Sequence, residues 1–114
     1  MREYEPDAWV IAKIQSKEKT FYSVLSGWNG GYLSGDVWRL SSSITGIEKQ
    51  GYLYGFYCRN GSVYWCHSGS YKFTSYTSSV YDKLKSRFND EIEIMKETTN
   101  WVELVAEIRP YEFK

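Results

Sequence analysis

Two alternating apolar runs meet at a turn signal in the segment FYCRNGSVYWC, residues 56–66. Asn60-Gly61 between two such runs indicates a β-hairpin with a two-residue turn. This turn would place residue 59 opposite residue 62, and residue 58 opposite residue 63. Because side chains alternate along a strand, the register assigns every hairpin residue to one of two faces.

One predicted face of the hairpin is apolar and the other is mixed. The apolar face, which we expect in the core, carries Phe56, Cys58, Val63 and Trp65. The mixed face carries Tyr57, Arg59, Ser62, Tyr64 and Cys66. Aromatic rings with polar tips suit either contact with a partner or a covering by another segment of this chain.

The two cysteines fall on opposite faces in this register. Cys58 and Cys66 are then separated by about three rungs of the ladder, roughly 10 Å, which is too far for a disulfide. We therefore predict two free thiols. With a single histidine in the chain, they also fall short of a tetrahedral zinc site unless carboxylates contribute, and we predict no metal or cofactor.

The hairpin belongs to a chain that is mostly strand. Runs enriched in β-branched and aromatic residues predict strands at residues 9–14, 20–25, 36–41, 44–49, 52–58 and 91–95. Apolar residues at every fourth position predict a helix from Thr77 to Asn89, capped by Ser78 or Ser79. Residues 98–109 fit either a helix capped at Asn100 or a strand; we favour the helix, ended by Pro110.

These elements predict one α+β domain spanning residues 1–114. We expect a curved antiparallel β-sheet, or a partly open barrel, of about five to six strands with one packed helix. Lys83, Lys85 and Arg87 lie on the outer side of that helix; they form either a basic binding strip or, as we prefer, a solvated face.

Composition restricts the classes of partner. The chain has 14 basic and 14 acidic residues, so its zero net charge argues against binding long nucleic acid. Its apolar runs are too short to span a membrane and its first residues lack a secretory pattern, so we expect a soluble cytoplasmic protein. Aromatic residues make up 18%, with 11 Tyr and 5 Trp, which is more than a core of this size can bury.

A glycine-rich loop in the segment SGWNGGYLSGDVWRL, residues 26–40, is the main candidate site. Glycine leaves room for a partner, and flanking aromatic rings offer it flat surfaces. We expect an exposed Trp28 here, whereas Trp38 and Trp65 should lie in the core. The candidate partner-binding residues are Trp28, Gly30, Gly31, Tyr32, Asp36 and Arg39 from the loop, and Tyr57, Arg59, Tyr64 and His67 from the hairpin.

The strings GWNGGYLSGDVWRLSSSIT, residues 27–45, and GSVYWCH, residues 61–67, resemble a family of small uncharacterised proteins of tailed bacteriophages. The shared pattern is aromatic-Gly-Gly-Tyr, then Asp-x-Trp-Arg-Leu, then Gly-Ser-Val-Tyr-x-Cys-His. The resemblance implies an accessory protein in the host cytoplasm that modulates or inhibits a host protein, such as a component of host defence. It implies no catalytic mechanism.

Three functions are compatible with the sequence. The first, which we prefer, is non-enzymatic binding of a host protein, because Trp, Tyr and Arg concentrate binding energy at interfaces. In the second, the aromatic loop stacks on a small nucleotide signal or single-stranded nucleic acid. In the third, the protein is a small hydrolase in which Asp36 orients His67 and Ser34 or Ser62 is the nucleophile.

Overall fold

The computed structural model describes residues 2–16, 19–29, 37–89 and 91–112, with side chains up to residue 108. Eight strands and two helices follow in chain order. They are β1 (Glu3–Tyr4), β2 (Ala8–Gln15), β3 (Thr20–Gly27), β4 (Trp38–Leu40), β5 (Ile44–Gln50), β6 (Leu53–Cys58), β7 (Val63–His67), α1 (Ser75–Arg87), β8 (Ile92–Ile94) and α2 (Trp101–Glu112). The predicted α+β class is confirmed.

The strands form two four-stranded sheets that do not close into a barrel. The first sheet has the order β1-β7-β6-β5 and the second has the order β4-β3-β2-β8. Neighbouring strands are antiparallel except for β1 and β7, which are parallel. The predicted antiparallel sheet is therefore present, divided into two layers.

The main core lies between the two sheets. Trp9, Ile11 and Val24 of the second sheet pack with Phe56 and Tyr64 of the first. Trp101 and Val105 of α2 join the same cluster, so the second helix closes this core. The opposite face of the second sheet packs on α1 through Ala12, Ile14, Leu84 and Ile92. The order of layers is first sheet, second sheet, then α1.

The hairpin turn has three residues, and the predicted two-residue turn is wrong. The Cys58 amide donates to the Ser62 carbonyl at 2.9 Å, and the Gly61 amide donates to the Cys58 carbonyl at 2.9 Å. Gly61 has a φ of +91°, as required where a type I turn ends in a one-residue bulge. The register consequently shifts by one residue, so Phe56 pairs with Tyr64 and Gly55 pairs with Trp65.

This shift exchanges the faces of β7. Tyr64 and Cys66 now lie beside Phe56 and Cys58 in the core, whereas Trp65 shares the opposite face with Tyr57. The burial predicted for Phe56, Cys58 and Val63 is confirmed, but Val63 lies on the same side of the sheet as Tyr57 and not on the side of Phe56. The core position predicted for Trp65 is wrong. Trp38 is also outside the core, because it lies on the short strand β4 with 40% of its surface exposed.

Both helices begin at polar caps. Thr74, and not Ser78 or Ser79, caps α1: its side chain accepts from the Thr77 amide, and the Thr77 side chain accepts from the Thr74 amide. At α2 the Asn100 side chain accepts from the Glu103 amide at 3.1 Å, as predicted. This helix continues to Glu112, beyond the end predicted at Pro110.

Tyr71 joins three distant parts of the chain. Its hydroxyl accepts from the Ile11 amide at 3.1 Å and donates to the Met95 carbonyl at 2.5 Å. The Tyr71 hydroxyl therefore provides a hydrogen-bond partner for one backbone amide in β2 and for one backbone carbonyl directly after β8. Burial raises the pKa of Tyr71 to about 12.

No helix in the described part of the chain is long and apolar enough to cross a membrane.

Candidate functional site

Four of the predicted loop residues, Gly30, Gly31, Tyr32 and Asp36, lie outside the described residues. The loop hypothesis can be compared with the structure only at its two ends, Trp28 and Arg39.

Trp28 is a core residue, so the expectation of an exposed loop tryptophan is wrong. Its side chain is 5% exposed, and its indole Nε1 donates to the Glu5 carbonyl at 3.0 Å. The reason is that pairing continues past the end of β3, because the Trp28 amide donates to the Val37 carbonyl at 3.0 Å. Residue 28 therefore keeps the inward orientation of Val24 and Ser26.

Tyr64, predicted on the mixed face of the hairpin, is also buried, with 2% exposed. Its ring stacks on Tyr4 at 4.8 Å between centroids, and the Arg39 guanidinium lies 4.8 Å from the centroid of that same Tyr4 ring. Burial raises the pKa of the Tyr64 phenol far above its ordinary value. Arg39 and Tyr64 thus contribute to the packing around Tyr4.

Tyr57 and His67 remain on the opposite face of the first sheet, which we call the outer face. By the register, the outer face carries Glu3 of β1, Gly46, Glu48 and Gln50 of β5, Leu53, Gly55 and Tyr57 of β6, and Val63, Trp65 and His67 of β7. Arg59 is exposed in the turn, where its amide donates to the Ser43 carbonyl.

Trp65 is the centre of the outer face. Gly55 lies directly across from it, and a Cβ atom at that glycine would be only 2.5 Å from Cζ3 of the indole. The indole therefore occupies the space that a side chain at position 55 would fill. The ring of Tyr57 meets it edge to face, with centroids 6.4 Å apart and an interplanar angle of 73°.

Two carboxylates hold the aromatic pair at its ends. The Trp65 Nε1 donates to Glu3 Oε1 at 2.9 Å, and the Tyr57 hydroxyl donates to Glu48 Oε1 at 2.7 Å. Gln50 Nε2 donates to the other oxygen of Glu48. These hydrogen bonds, first from Tyr57 and then from Gln50, lower the pKa of the Glu48 carboxyl below its ordinary value.

A surface groove of about 550 Å³ adjoins this band of rings and carboxylates. Its lining residues are Glu3, Glu5, Trp28, Gln50, Leu53 and Trp65. The groove falls within the size range of small-ligand sites, roughly 300–1,000 Å³. Its charged lining residues are both acidic.

Of the groove residues, only Trp28 is among the candidate site residues predicted from the sequence. The two-residue turn predicts Trp65 in the core, and Glu3 and Glu5 come from a segment about 60 residues away. Gly55 was the available signal, since glycine inside a strand often marks close approach of another group.

His67 has no arrangement for histidine catalysis among the described residues. Its Nδ1 accepts from the Gly69 amide at 3.3 Å, and its ring stacks on the exposed Tyr52. Ser62 is five residues away along one extended segment, roughly 16 Å by strand rise, so it is too far to be activated by His67. Ser34 and Asp36 of that hypothesis lie outside the described residues.

Both cysteines are buried free thiols, which confirms the prediction that they are not bridged. Cys58 and Cys66 both lie on the side of the first sheet that faces the main core, whereas the predicted register places them on opposite faces. Burial raises the pKa of Cys58 to about 11 and raises that of Cys66 well above its ordinary value. Among the residues that the structure describes, no three His, Cys, Asp or Glu side chains are placed to hold a metal ion.

Comparison with protein-family models, with curated proteins and with solved structures gives no match.

Proposed function

We propose that this protein acts without catalysis, by binding another protein through the outer face of its first sheet. The observation that carries the proposal is the half-buried Trp65, which is seated on Gly55 and hydrogen-bonded to Glu3 beside an open groove. Tryptophan and tyrosine are enriched among the residues that dominate binding energy. A ring already fixed in position loses little conformational entropy on binding.

The biological setting of the proposal is a phage accessory protein directed at a host protein, for example one used in defence. The sequence resemblance supports that setting. The outer face supports the part of the proposal that concerns binding, independently of the resemblance.

The groove is less suited to a nucleotide. Glu3, Glu5 and the nearby Glu48 would repel a phosphate group in the absence of a bridging cation. The backbone amides of Gly30 and Gly31, which would be the groups to bind phosphate in the nucleotide hypothesis, lie outside the described residues.

Affinity capture from bacterial lysate, followed by calorimetry with the purified captured protein, tests the proposal. The informative variant is Trp65→Ala, and the matched control is Tyr76→Ala, which removes a 50% exposed aromatic ring on α1 at the far side of the molecule. Circular dichroism must first show that both variants are folded.

We expect Trp65→Ala to weaken binding at least about 30-fold, which corresponds to about 2 kcal/mol, and Tyr76→Ala to leave binding unchanged. Equal effects of the two variants, or failure of the wild-type protein to retain any partner, would contradict the proposal.

A further inference from the structure

We infer that the groove beside Trp65 holds the guanidinium group of an arginine side chain supplied by the protein partner. This inference rests on the proposed function and specifies the chemistry of the partner's contact segment. The groove combines two carboxylates with the indole ring of Trp65. A planar cation can interact with both kinds of group simultaneously.

The charged residues that line the groove are both acidic, and neither forms a salt bridge within the described part of the chain. The salt bridges there are Lys13 with Glu93 and Lys85 with Asp82, and neither involves Glu3 or Glu5. Glu48, at the other end of the aromatic pair, adds a third acidic side chain to the same face. A chain with zero net charge thus presents a locally acidic surface, to which a cationic group is complementary.

The hydrogen bond from Trp65 fixes the position of the Glu3 carboxylate. It occupies Oε1 of Glu3 at 2.9 Å, and Oε2 accepts no hydrogen bond from the described residues. A carboxylate oxygen in a fixed position beside an aromatic ring suits a guanidinium, which donates through a rigid planar fork while its face lies on the ring. An ammonium group would make the ionic contact without the stacking.

Cations of this chain already lie over other aromatic rings. Arg39 is 4.8 Å from the Tyr4 centroid, Lys49 is 5.6 Å from that of Tyr54 and Lys85 is 5.1 Å from that of Tyr81. In the described structure no Lys or Arg occupies the corresponding position over Trp65, although indole is the strongest of the aromatic cation acceptors. Trp65 therefore has no cation of the described residues over its ring, and it lines a groove that another molecule can enter.

The test uses the indole N–H signal of Trp65 in nuclear magnetic resonance spectra of the whole protein. The chain has five tryptophans, and the indole N–H signal of Trp65 is identified as the one that is missing from the spectrum of Trp65→Phe. The probes are the peptide acetyl-Gly-Arg-Gly-amide and its citrulline counterpart, which has nearly the same shape without the charge. Both are titrated at low ionic strength, where electrostatic contributions are largest.

We expect the arginine peptide to bind at least about ten times more tightly than the citrulline peptide. The double substitution Glu3→Gln and Glu5→Gln should reduce this ratio to near one, while the amide oxygen introduced at position 3 can still accept the hydrogen bond from Trp65. Glu93→Gln is the matched control, because it removes an exposed carboxylate on the second sheet, and it should keep the ratio.

Equal affinities for the two peptides, or a tenfold preference that persists in the double variant, would overturn the inference. A Trp65 signal that shifts with protein concentration alone would also overturn it in favour of a second copy of this chain as the occupant. The proposed function is tested separately by the capture experiment. If Trp65→Ala no longer binds the captured partner but the protein does not prefer the arginine peptide, the outer face is still the binding surface. In that case only the assignment of a guanidinium group to the groove is wrong.

Discussion

The close contact between Gly55 and Trp65 allows the register of the hairpin to be tested by a double-mutant cycle. In Gly55→Ala the new Cβ would lie 2.5 Å from Cζ3 of the indole and 2.8 Å from Cε3 and Cη2. These separations are shorter than van der Waals contact allows, so the indole ring must move away from residue 55. Overpacking of this kind costs about 1–3 kcal/mol.

The same substitution should behave differently when the indole is absent. In the Trp65→Ala background the added methyl group meets no ring, and alanine in a strand is more stable than glycine by about 0.5–1 kcal/mol. The two substitutions should therefore couple by about 1–3 kcal/mol in free energy of unfolding. For a chain of this length, each kcal/mol corresponds to roughly 4–6 °C in Tm.

Urea denaturation of the four proteins, followed by circular dichroism, measures the coupling. Gly46→Ala is the control, because a Cβ there would lie at an ordinary 3.6 Å from Cβ of Tyr57. It should show no coupling with Trp65→Ala. If the effects of Gly55→Ala and Trp65→Ala add within about 0.5 kcal/mol, the indole does not lie on Gly55 and the three-residue turn is wrong.

Three further predictions concern stability, thiol reactivity and ionisation. Trp28→Ala should lower the free energy of unfolding, measured by urea denaturation, by about 3–5 kcal/mol. Trp38→Ala, at a 40% exposed position, should lower it by less than about 1 kcal/mol. Equal losses of stability in the two variants would contradict the buried placement of Trp28. At pH 8 the buried thiols should react with a thiol reagent only after unfolding, because burial raises the pKa of Cys58 to about 11; rapid labelling of the native protein would refute this. Tyr57→Phe should raise the pKa of Glu48 towards its ordinary value in a magnetic resonance titration. Because folding lowers the pKa of Glu48, ionised Glu48 stabilises the wild-type protein at pH values above the pKa that this carboxyl has in the unfolded chain. This stabilisation is lost as the pH falls through the pKa that the carboxyl has in the folded protein.

The strands were predictable because alternation and β-branched composition are local properties of the sequence. The turn was less predictable, because Asn60-Gly61 fits both a two-residue loop and a three-residue loop with a bulge at glycine. That difference of one residue exchanged Trp65 with Tyr64 between the outer face and the core. The ambiguity in the length of this turn therefore determines whether Trp65 or Tyr64 is a candidate binding residue.

The remaining errors have a different cause, because they depend on contacts between distant segments. Trp28 follows a strand and precedes glycines, yet its amide still pairs with Val37 and its ring enters the core. Glu3 belongs to the site only because β1 pairs with β7, and no periodicity within either segment predicts that pairing.

The pairing of β1 with β7 also determines when the groove can form during synthesis of the chain. The acidic residues of the groove are translated first, but β7 follows about 60 residues later. At roughly 5–20 residues per second, the first strand waits about 3–12 s for its partner. The groove therefore cannot form on a nascent chain before β7 leaves the ribosome, so any partner present during translation would meet the groove only after seven of the eight described strands have been made.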